Sequence, residues 1–168
     1  MDRELVSVII PAYNVDKFLG ECVRSLLCQT YTNYEIIIID DGSTDNTYVI
    51  GESLTFESTK VKVLRQENQG VSVARNVGMQ KAKGEFYVFV DADDIVAPRY
   101  IETLVFCAQK SDMGIIGFTS ERKELATEVH LNNVYVNASG VIENILSGSN
   151  YDGYLWNKIF QKRIIENN

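Results

Sequence analysis

Three carboxylates, those of Asp91, Asp93 and Asp94, fall within four positions of the stretch FVDADDIVAP, residues 89–98. They come directly after the apolar run FYVFV. Like charges held so close repel one another, and in a partly dry site this repulsion raises the pKa of a carboxyl group. The chain as a whole already has a formal net charge of −7. The cluster therefore raises the question of what compensates for the repulsion.

Hard-cation chemistry is one answer. Asp91 and Asp93 lie two residues apart at the end of a predicted strand, so their carboxylates can converge on one Mg²⁺ or Mn²⁺ ion. Such an ion would also let an acidic protein hold an anionic diphosphate. A calcium loop of the EF-hand type is excluded, because its sixth position needs glycine and Val96 stands there. The alternative is an acidic helix start in water, with Asp94 as the N-terminal cap.

Strands and helices alternate along the chain that must position this cluster. Short β-branched apolar runs predict buried strands, and apolar residues at helical spacing predict the helices between them. Strands are predicted at 5–10, 34–40, 61–66, 86–91 and 113–119. Helices are predicted at 15–29, 44–57, 71–83 and 98–110, with Gly84 ending the third and Pro98 near the start of the fourth. This order favours an α/β fold: an open, mostly parallel sheet with helices on both faces.

The pattern weakens after Ser120. Residues 128–139 predict a strand or one arm of a hairpin, and residues 139–146 predict a short helix. The stretch YLWNKIFQKRII, residues 154–165, is apolar and basic. We predict that it forms a strand or helix packed on the edge of the sheet.

Polar clusters follow the first four predicted strands. They are PAYN (11–14), DDGSTDNT (40–47), ENQG (67–70) and DADD (91–94). In an open parallel sheet, ligands bind outside the carboxyl ends of the strands. One such cluster is usually only a turn, but four at the same edge predict a functional cleft.

Composition and missing motifs exclude several classes of protein. No GxGxxG follows the first strand and no GxxxxGK[ST] is present, which argues against a dinucleotide fold and a P-loop. An acidic chain without a basic block gives no reason to expect nucleic-acid binding. Three cysteines without a CxxC pair and a single histidine argue against zinc and disulfides. The sequence has no apolar run long enough to span a membrane and no signal peptide at MDREL, so we expect a cytoplasmic protein, at most bound to the inner membrane face.

The ordered set VSVIIPAYN, IDDGSTDNT, NQGVSVARNVG and FVDADD resembles the inverting family 2 glycosyltransferases, which have the GT-A fold of nucleotide-diphospho-sugar transferases. The resemblance covers residues 5–110, and WNKIF (156–160) is similar to a further segment of bacterial members that build capsule, cell-wall or lipopolysaccharide sugars. It implies a donor-binding subdomain over residues 1–120 and the start of an acceptor-side subdomain over 121–168. The implied reaction moves a sugar from a nucleotide diphosphate, commonly UDP, to a hydroxyl of a glycan or lipid-linked acceptor.

The resemblance also assigns roles to residues. The nucleotide pocket would be lined by the first polar cluster, with Tyr13 against the base: Pro11, Ala12, Tyr13 and Asn14. Asp41 would hydrogen-bond the base, whereas Asp40 is structural. Taken alone, Tyr13 could instead be a half-buried core aromatic.

The DADD stretch corresponds to the DxD element of the family. Asp91 would meet the ribose and the metal shell, Asp93 would ligate Mn²⁺ or Mg²⁺ directly, and Asp94 would cap the next helix. Arg75 falls in the ARN segment near the donor, although a salt bridge on the helix surface would also explain it.

The catalytic base is where the sequence departs from the family. Members usually carry it in an acidic pair after the segment that WNKIF resembles, and QKRIIENN contains no such pair. Asp152 and Glu166 are available but lie outside that context, so we expect the base beyond Asn168. A non-catalytic nucleotide-sugar-binding module is the alternative. A sugar-nucleotide pyrophosphorylase is disfavoured, because PAYN is not the glycine-rich basic loop that it needs.

Overall fold

The structure, a computed structural model, describes residues 4–109, 113–115 and 158–166. Its strands are β1 (Val6–Ala12), β2 (Tyr34–Asp41), β3 (Val61–Gln66), β4 (Phe86–Phe89), β5 (Met113–Ile115) and β6 (Lys158–Gln161). Its helices are α1 (Leu19–Leu27), α2 (Thr47–Glu57), α3 (Val71–Lys81), α4 (Tyr100–Ala108) and α5 (Lys162–Glu166). The expected elements at 128–139 and 139–146 lie outside these ranges, as does the expected boundary between residues 120 and 121.

One sheet with the strand order β3-β2-β1-β4-β6-β5 organises these elements. β1 pairs in parallel with β2 and β4, and β2 pairs in parallel with β3. All eight residues of β2 are buried, because helices cover both faces of the sheet. Leu26, Leu54 and Ile101, from α1, α2 and α4, pack on one face, while Ala74 of α3 and Ile165 of α5 pack on the other. The predicted α/β fold with an open, mostly parallel sheet is confirmed.

The segment that contains WNKIF was expected on the sheet edge, and that position is wrong. β6 lies inside the sheet, antiparallel to both β4 and β5, so among the described strands β5 is the last one on that side. Ile159 is fully buried and Lys158 nearly so. The order of elements along the chain cannot show this insertion, because a strand from a distant segment pairs with β4 without a local crossover.

Several predicted helix ends differ from the structure by a few residues, and near three of them a backbone group has a tertiary partner. Helix α1 begins at Leu19 rather than at 15, and the turn that leads into it is anchored by Val15 N–H, which donates to Thr47 Oγ1 at 2.8 Å. Helix α3 ends at Lys81, and Gly84 does not stop it. Gly84 N–H donates to Ser7 Oγ at 2.9 Å, and a Cβ there would lie 2.6 Å from the Leu5 carbonyl oxygen. Glycine is therefore needed for this close approach to β1.

The third helix end concerns Asp94, whose predicted role as a helix cap is wrong. Helix α4 begins at Tyr100 with Arg99 as the N-cap residue. The backbone before it is held instead by the residues that follow α1. Gln29 Nε2 donates to the Ala97 carbonyl at 2.7 Å, and Thr30 N–H donates to the Pro98 carbonyl at 2.9 Å.

A buried carboxylate ties the amino-terminal ends of the strands together. Glu35 Oε1 accepts hydrogen bonds from Ser7 Oγ at 2.8 Å and from Lys83 N–H at 2.7 Å. Its Oε2 accepts one from Lys62 Nζ at 2.7 Å. Burial by itself raises the pKa of Glu35, but the hydrogen bonds from Lys62, Lys83 and Ser7 outweigh burial and lower it. This network lies at the end of the sheet opposite to the polar clusters.

We expect Glu35→Gln to lower the free energy of unfolding by about 1–3 kcal/mol at pH 7, because hydrogen bonds to a buried charge are lost. A lowered pKa in the folded state stabilises the fold above the unfolded-state pKa, and this contribution disappears as the pH falls through the folded-state value. The difference between the two proteins should therefore shrink between pH 7 and pH 3 in urea unfolding. Glu57→Gln, at an exposed carboxylate paired with Arg24, is the control and should have a smaller effect. A penalty for Glu35→Gln that is the same at both pH values would contradict this account.

Candidate donor-binding site

Side-chain and backbone hydrogen bonds connect the polar clusters at the carboxyl ends of β1, β2, β3 and β4. The loop after β1 is hydrogen-bonded to the loop after β2 through Asn14 and Ser43. Asp41, at the end of β2, is hydrogen-bonded to the loop after β3. Helix α3 then reaches the loop after β4 through Arg75 and Asp91. The four clusters that the sequence places at one edge therefore form one connected surface.

The contact between the first two loops depends on Asn14. Its backbone N–H donates to Ser43 Oγ at 3.0 Å, and its Oδ1 accepts from Thr44 N–H at 2.8 Å. Asn14 has φ of 53°, a left-handed conformation that asparagine tolerates better than most residues. Asp16 N–H donates to Asp45 Oδ2 at 3.2 Å. The Asn14 side chain thus holds the two loops together.

The rest of the predicted pocket lining differs in exposure. Ala12 is buried and Pro11 is partly buried at the end of β1. Tyr13 is 48% exposed, so it is not a core aromatic, and its ring is accessible to a ligand. Stacking of Tyr13 on a base stays a prediction.

Asp41 connects the second and third loops. Its Oδ1 accepts hydrogen bonds from Gln66 Nε2 at 2.7 Å and Gln69 N–H at 2.9 Å, and its Oδ2 accepts from Gly70 N–H at 2.8 Å. A carboxylate offers about four acceptor positions, so three are already used. Asp41 is also 3% exposed. Base recognition by Asp41 stays a prediction, and it would have to use the remaining acceptor position or replace one of these bonds.

Asp40 is fully buried, in agreement with a structural role. Arg65 Nε lies 3.2 Å from Asp40 Oδ2, and Arg65 Nη2 donates to the Ser43 carbonyl at 2.8 Å. The guanidinium also lies over the Tyr48 ring, 5.1 Å from its centroid. Neither carboxylate oxygen of Asp40 accepts a hydrogen bond from the described residues, so the charge of Arg65 is what compensates it. Sequence reasoning missed Arg65. Pairing β2 with β3 in parallel places Arg65 opposite Asp40, and this register was the signal that could have identified it.

The acidic cluster lies where β4 ends. Asp91 Oδ1 accepts a hydrogen bond from Arg75 Nη2 at 2.9 Å, so Arg75 is not merely in a surface salt bridge on its own helix. Asp93 is exposed and Asp94 is partly buried. Burial, and then the charges of Asp91 and Asp93, raise the pKa of Asp94 to about 6. The repulsion expected from the sequence is therefore present.

Cys22 of α1 lies beneath the same cluster. Its thiol donates to the Asp91 backbone carbonyl at 3.6 Å. Burial first, and then the charges of Asp94, Asp93 and Asp91, raise the pKa of Cys22 to about 12. The thiol thus stays protonated and serves as a small buried side chain and a weak donor.

Ser25 of α1 and Gln29, just after α1, also support the segment that follows the cluster, which sequence reasoning did not detect. Ser25 Oγ accepts from Val96 N–H at 3.1 Å, and Gln29 Oε1 accepts from Ile101 N–H at 2.9 Å. Two polar residues within and just after an otherwise apolar helix pattern were the available signal. These bonds fix the backbone that leads from Asp94 into α4.

Comparison with known proteins identifies the family. The family model described as Glycosyl transferase family 2 matches residues 7–164, nearly the whole chain. The chain belongs to this family. GlyG, a glycosyltransferase of Streptococcus pneumoniae serotype 4, is 47% identical over 114 residues, which make up 67% of this chain and 38% of GlyG.

Solved structures of glycosyltransferases share the fold. TarS of S. aureus, residues 1–349 in complex with UDP-GlcNAc, superimposes with a TM-score of 0.74 at 26% identity, covering 96% of this chain and 46% of that one. The mannosyltransferase PcManGT of Pyrobaculum calidifontis, solved with GDP-Man and Mn²⁺, gives a TM-score of 0.63 at 23% identity over 74% of this chain and 38% of its own. The latter likeness shows the fold alone. The chain thus spans less than half the length of GlyG, of the TarS chain and of PcManGT.

The described residues can supply only part of the ligands that a divalent metal ion needs at this site. Among the residues that the structure describes, no group of three His, Cys, Asp or Glu side chains converges on a point. Mg²⁺ commonly uses one or two carboxylates together with waters and substrate phosphates, and the oxygens of Asp91 and Asp93 have the chemistry for that. The residues therefore fit an ion that the diphosphate helps to bind, rather than a complete protein cage.

Other predictions for this family 2 chain lie outside the described ranges. Asp152 is not among the described residues, and the side chain of Glu166 is not described, so the identity of the base stays open. Within the described ranges, the structure contains no helix long and apolar enough to cross a membrane. The cytoplasmic location and the subdomain boundary stay predictions.

Proposed function

We propose that the chain binds a nucleotide-diphosphate sugar, with UDP as the nucleotide, and that its protein transfers the sugar with inversion to an acceptor hydroxyl. The observation that carries this proposal is the likeness to TarS, solved with UDP-GlcNAc, over 96% of the chain. The connected loops after β1, β2, β3 and β4 support it, since they place Tyr13, Asp41 and Asp91 at the edge where such sheets bind ligands. The acceptor would be a glycan or lipid-linked sugar in the synthesis of a surface polysaccharide.

Each cluster would have a distinct part in donor binding. The exposed ring of Tyr13 would stack on the base, and the carboxylate of Asp41 would discriminate among bases. Asp91 would contact the ribose and the metal shell, and Arg75 would face the diphosphate. Asp93, being exposed, would hold Mn²⁺ or Mg²⁺, which supplies Lewis-acid stabilisation of the charge that develops on the departing diphosphate.

Transfer with inversion is a single displacement at the anomeric carbon. An acceptor hydroxyl attacks from the side opposite to the diphosphate, and a base within hydrogen-bond reach accepts its proton. Asp152 and a residue beyond Asn168 are the two candidates for this base. The donor loops orient the sugar, which accounts for part of the rate by fixing the geometry of attack.

A thermal-shift panel tests donor binding. We expect UDP and UDP-GlcNAc to raise the melting temperature more with Mn²⁺ than without, and more than GDP does, because a ligand stabilises the state that it binds. No shift with any nucleotide, with or without Mn²⁺, would refute the proposed function.

A transfer assay then separates an enzyme from a binding module. The 168-residue chain is compared with a longer version of its protein. Sugar incorporated into a crude acceptor from UDP-GlcNAc measures transfer, and release of UDP without acceptor measures hydrolysis. We expect the 168-residue chain to bind the donor but to transfer poorly. Efficient transfer that Asp152→Asn abolishes would assign the base to Asp152. UDP binding without transfer in either protein would favour the non-catalytic module.

A further inference from the structure

The ion pair between Arg75 and Asp91 uses only one of the two neighbouring N–H donors on one side of the guanidinium group. Arg75 Nη2 donates to Asp91 Oδ1 at 2.9 Å, and the two side chains are 20% and 39% exposed. Arg75 Nε is buried and has no hydrogen-bond partner among the described residues. In arginine, the Nε and Nη2 hydrogens point to the same side and form the fork that pairs with carboxylates and phosphates. This fork is therefore only half used.

A metal ion at this cluster would need the same carboxylate. Asp91 is one of the two residues whose oxygens fit a divalent ion, and its Oδ1 is already bound to a guanidinium. Two cations at one carboxylate repel each other, and the guanidinium group of arginine is a permanent cation in proteins. Binding of the ion therefore requires that Arg75 move away from Asp91 or tolerate the ion beside it.

We propose that Arg75 is the resident counter-ion of Asp91 and competes with the divalent ion, so that the ion binds tightly only when a diphosphate takes over the guanidinium. This inference rests on the proposed function, since the diphosphate comes from the nucleotide donor. Once the side chain moves, its Nε and Nη2 donors form a pair that matches two phosphate oxygens. Arg75 would then exchange Asp91 for phosphate, and Asp91 would become available to the ion. The result is positive coupling between nucleotide and metal, which by linkage must be reciprocal.

The test measures binding of Mn²⁺ alone, followed by the EPR signal of the free ion, so that no turnover is involved. Arg75→Met should bind Mn²⁺ on the order of fivefold to twentyfold more tightly than the unmodified protein, because a neighbouring positive charge is removed. Arg24→Met is the matched control. It removes an arginine that pairs with Glu57 on the surface, and its affinity for Mn²⁺ should stay within twofold of the unmodified value.

The second arm repeats the titration with UDP present. UDP should strengthen Mn²⁺ binding in the unmodified protein by a larger factor than in Arg75→Met, after correction for the complex that UDP forms with Mn²⁺ in solution. Urea unfolding checks that the variants are folded, and Arg75→Gln, which keeps a donor without the charge, replaces Arg75→Met if that variant does not fold.

Unchanged or weaker Mn²⁺ binding by Arg75→Met or Arg75→Gln would show that Arg75 does not compete with the ion for Asp91. If UDP still bound to the unmodified protein in a Mn²⁺-dependent manner, the proposed function would survive that result. Absence of both UDP and Mn²⁺ binding in every protein would overturn the two together.

Discussion

Asp93→Ala is expected to weaken Mn²⁺-dependent binding of UDP by tenfold or more, about 1.4 kcal/mol, with little change in stability. Asp93 is exposed at the carboxyl end of the sheet, so its truncation removes little packing. In contrast to Asp91, which is paired with Arg75, it is the carboxylate of the pair that we assign to direct ligation. Calorimetry with UDP in the presence of Mn²⁺, and again with a chelator, measures the effect.

The control for this experiment is Glu4→Ala. Glu4 is an exposed carboxylate just before β1, at the opposite end of the sheet, so the substitution changes the net charge by the same amount away from the cluster. Its affinity for UDP should equal that of the unmodified protein. Metal-independent UDP binding of unchanged affinity in Asp93→Ala would refute the metal-ligand role.

Asp41→Ala is expected to affect both stability and nucleotide preference. It leaves the N–H groups of Gln69 and Gly70 without their acceptor, which should lower the free energy of unfolding by roughly 2–3 kcal/mol. The loop after β3 would also lose its anchor to the loop after β2. If Asp41 contacts the base as well, the preference for UDP over GDP should fall beyond any uniform loss of affinity. Urea unfolding and calorimetry with both nucleotides measure the two effects separately.

Glu67→Ala is the matched control for Asp41→Ala, because it removes an exposed carboxylate from the loop after β3 without removing the anchor that Asp41 provides. We expect it to leave stability and nucleotide preference nearly unchanged. Equal UDP and GDP affinities in the unmodified protein would exclude base selection by Asp41. Unchanged stability of Asp41→Ala would instead contradict the anchoring role.

Local sequence patterns predicted most of the sheet. The isoleucine run in β2 predicted a strand covered on both faces, and the structure confirms this because all eight positions are buried. The bounds of β3 match the prediction, residues 61–66. Patterns of this kind succeed because both faces of such a strand are buried, so nearly every residue in it must be apolar. They fail at helix ends, where Val15 and Ala97 bind partners far away in the sequence.

The sequence by itself determined the family, the parallel core of the sheet and the edge at which four polar clusters meet. These depend on residue types at short spacings, which a single chain displays directly. Only the tertiary structure decided which groups in those clusters are already engaged. Asp41 is used by a loop, Asp40 depends on Arg65, Asp91 is paired with Arg75, and β6 inserts beside β4. The physical reason is that hydrogen bonds and ion pairs are satisfied by proximity in space, and the partners of these four features lie 16 to 75 residues away along the chain.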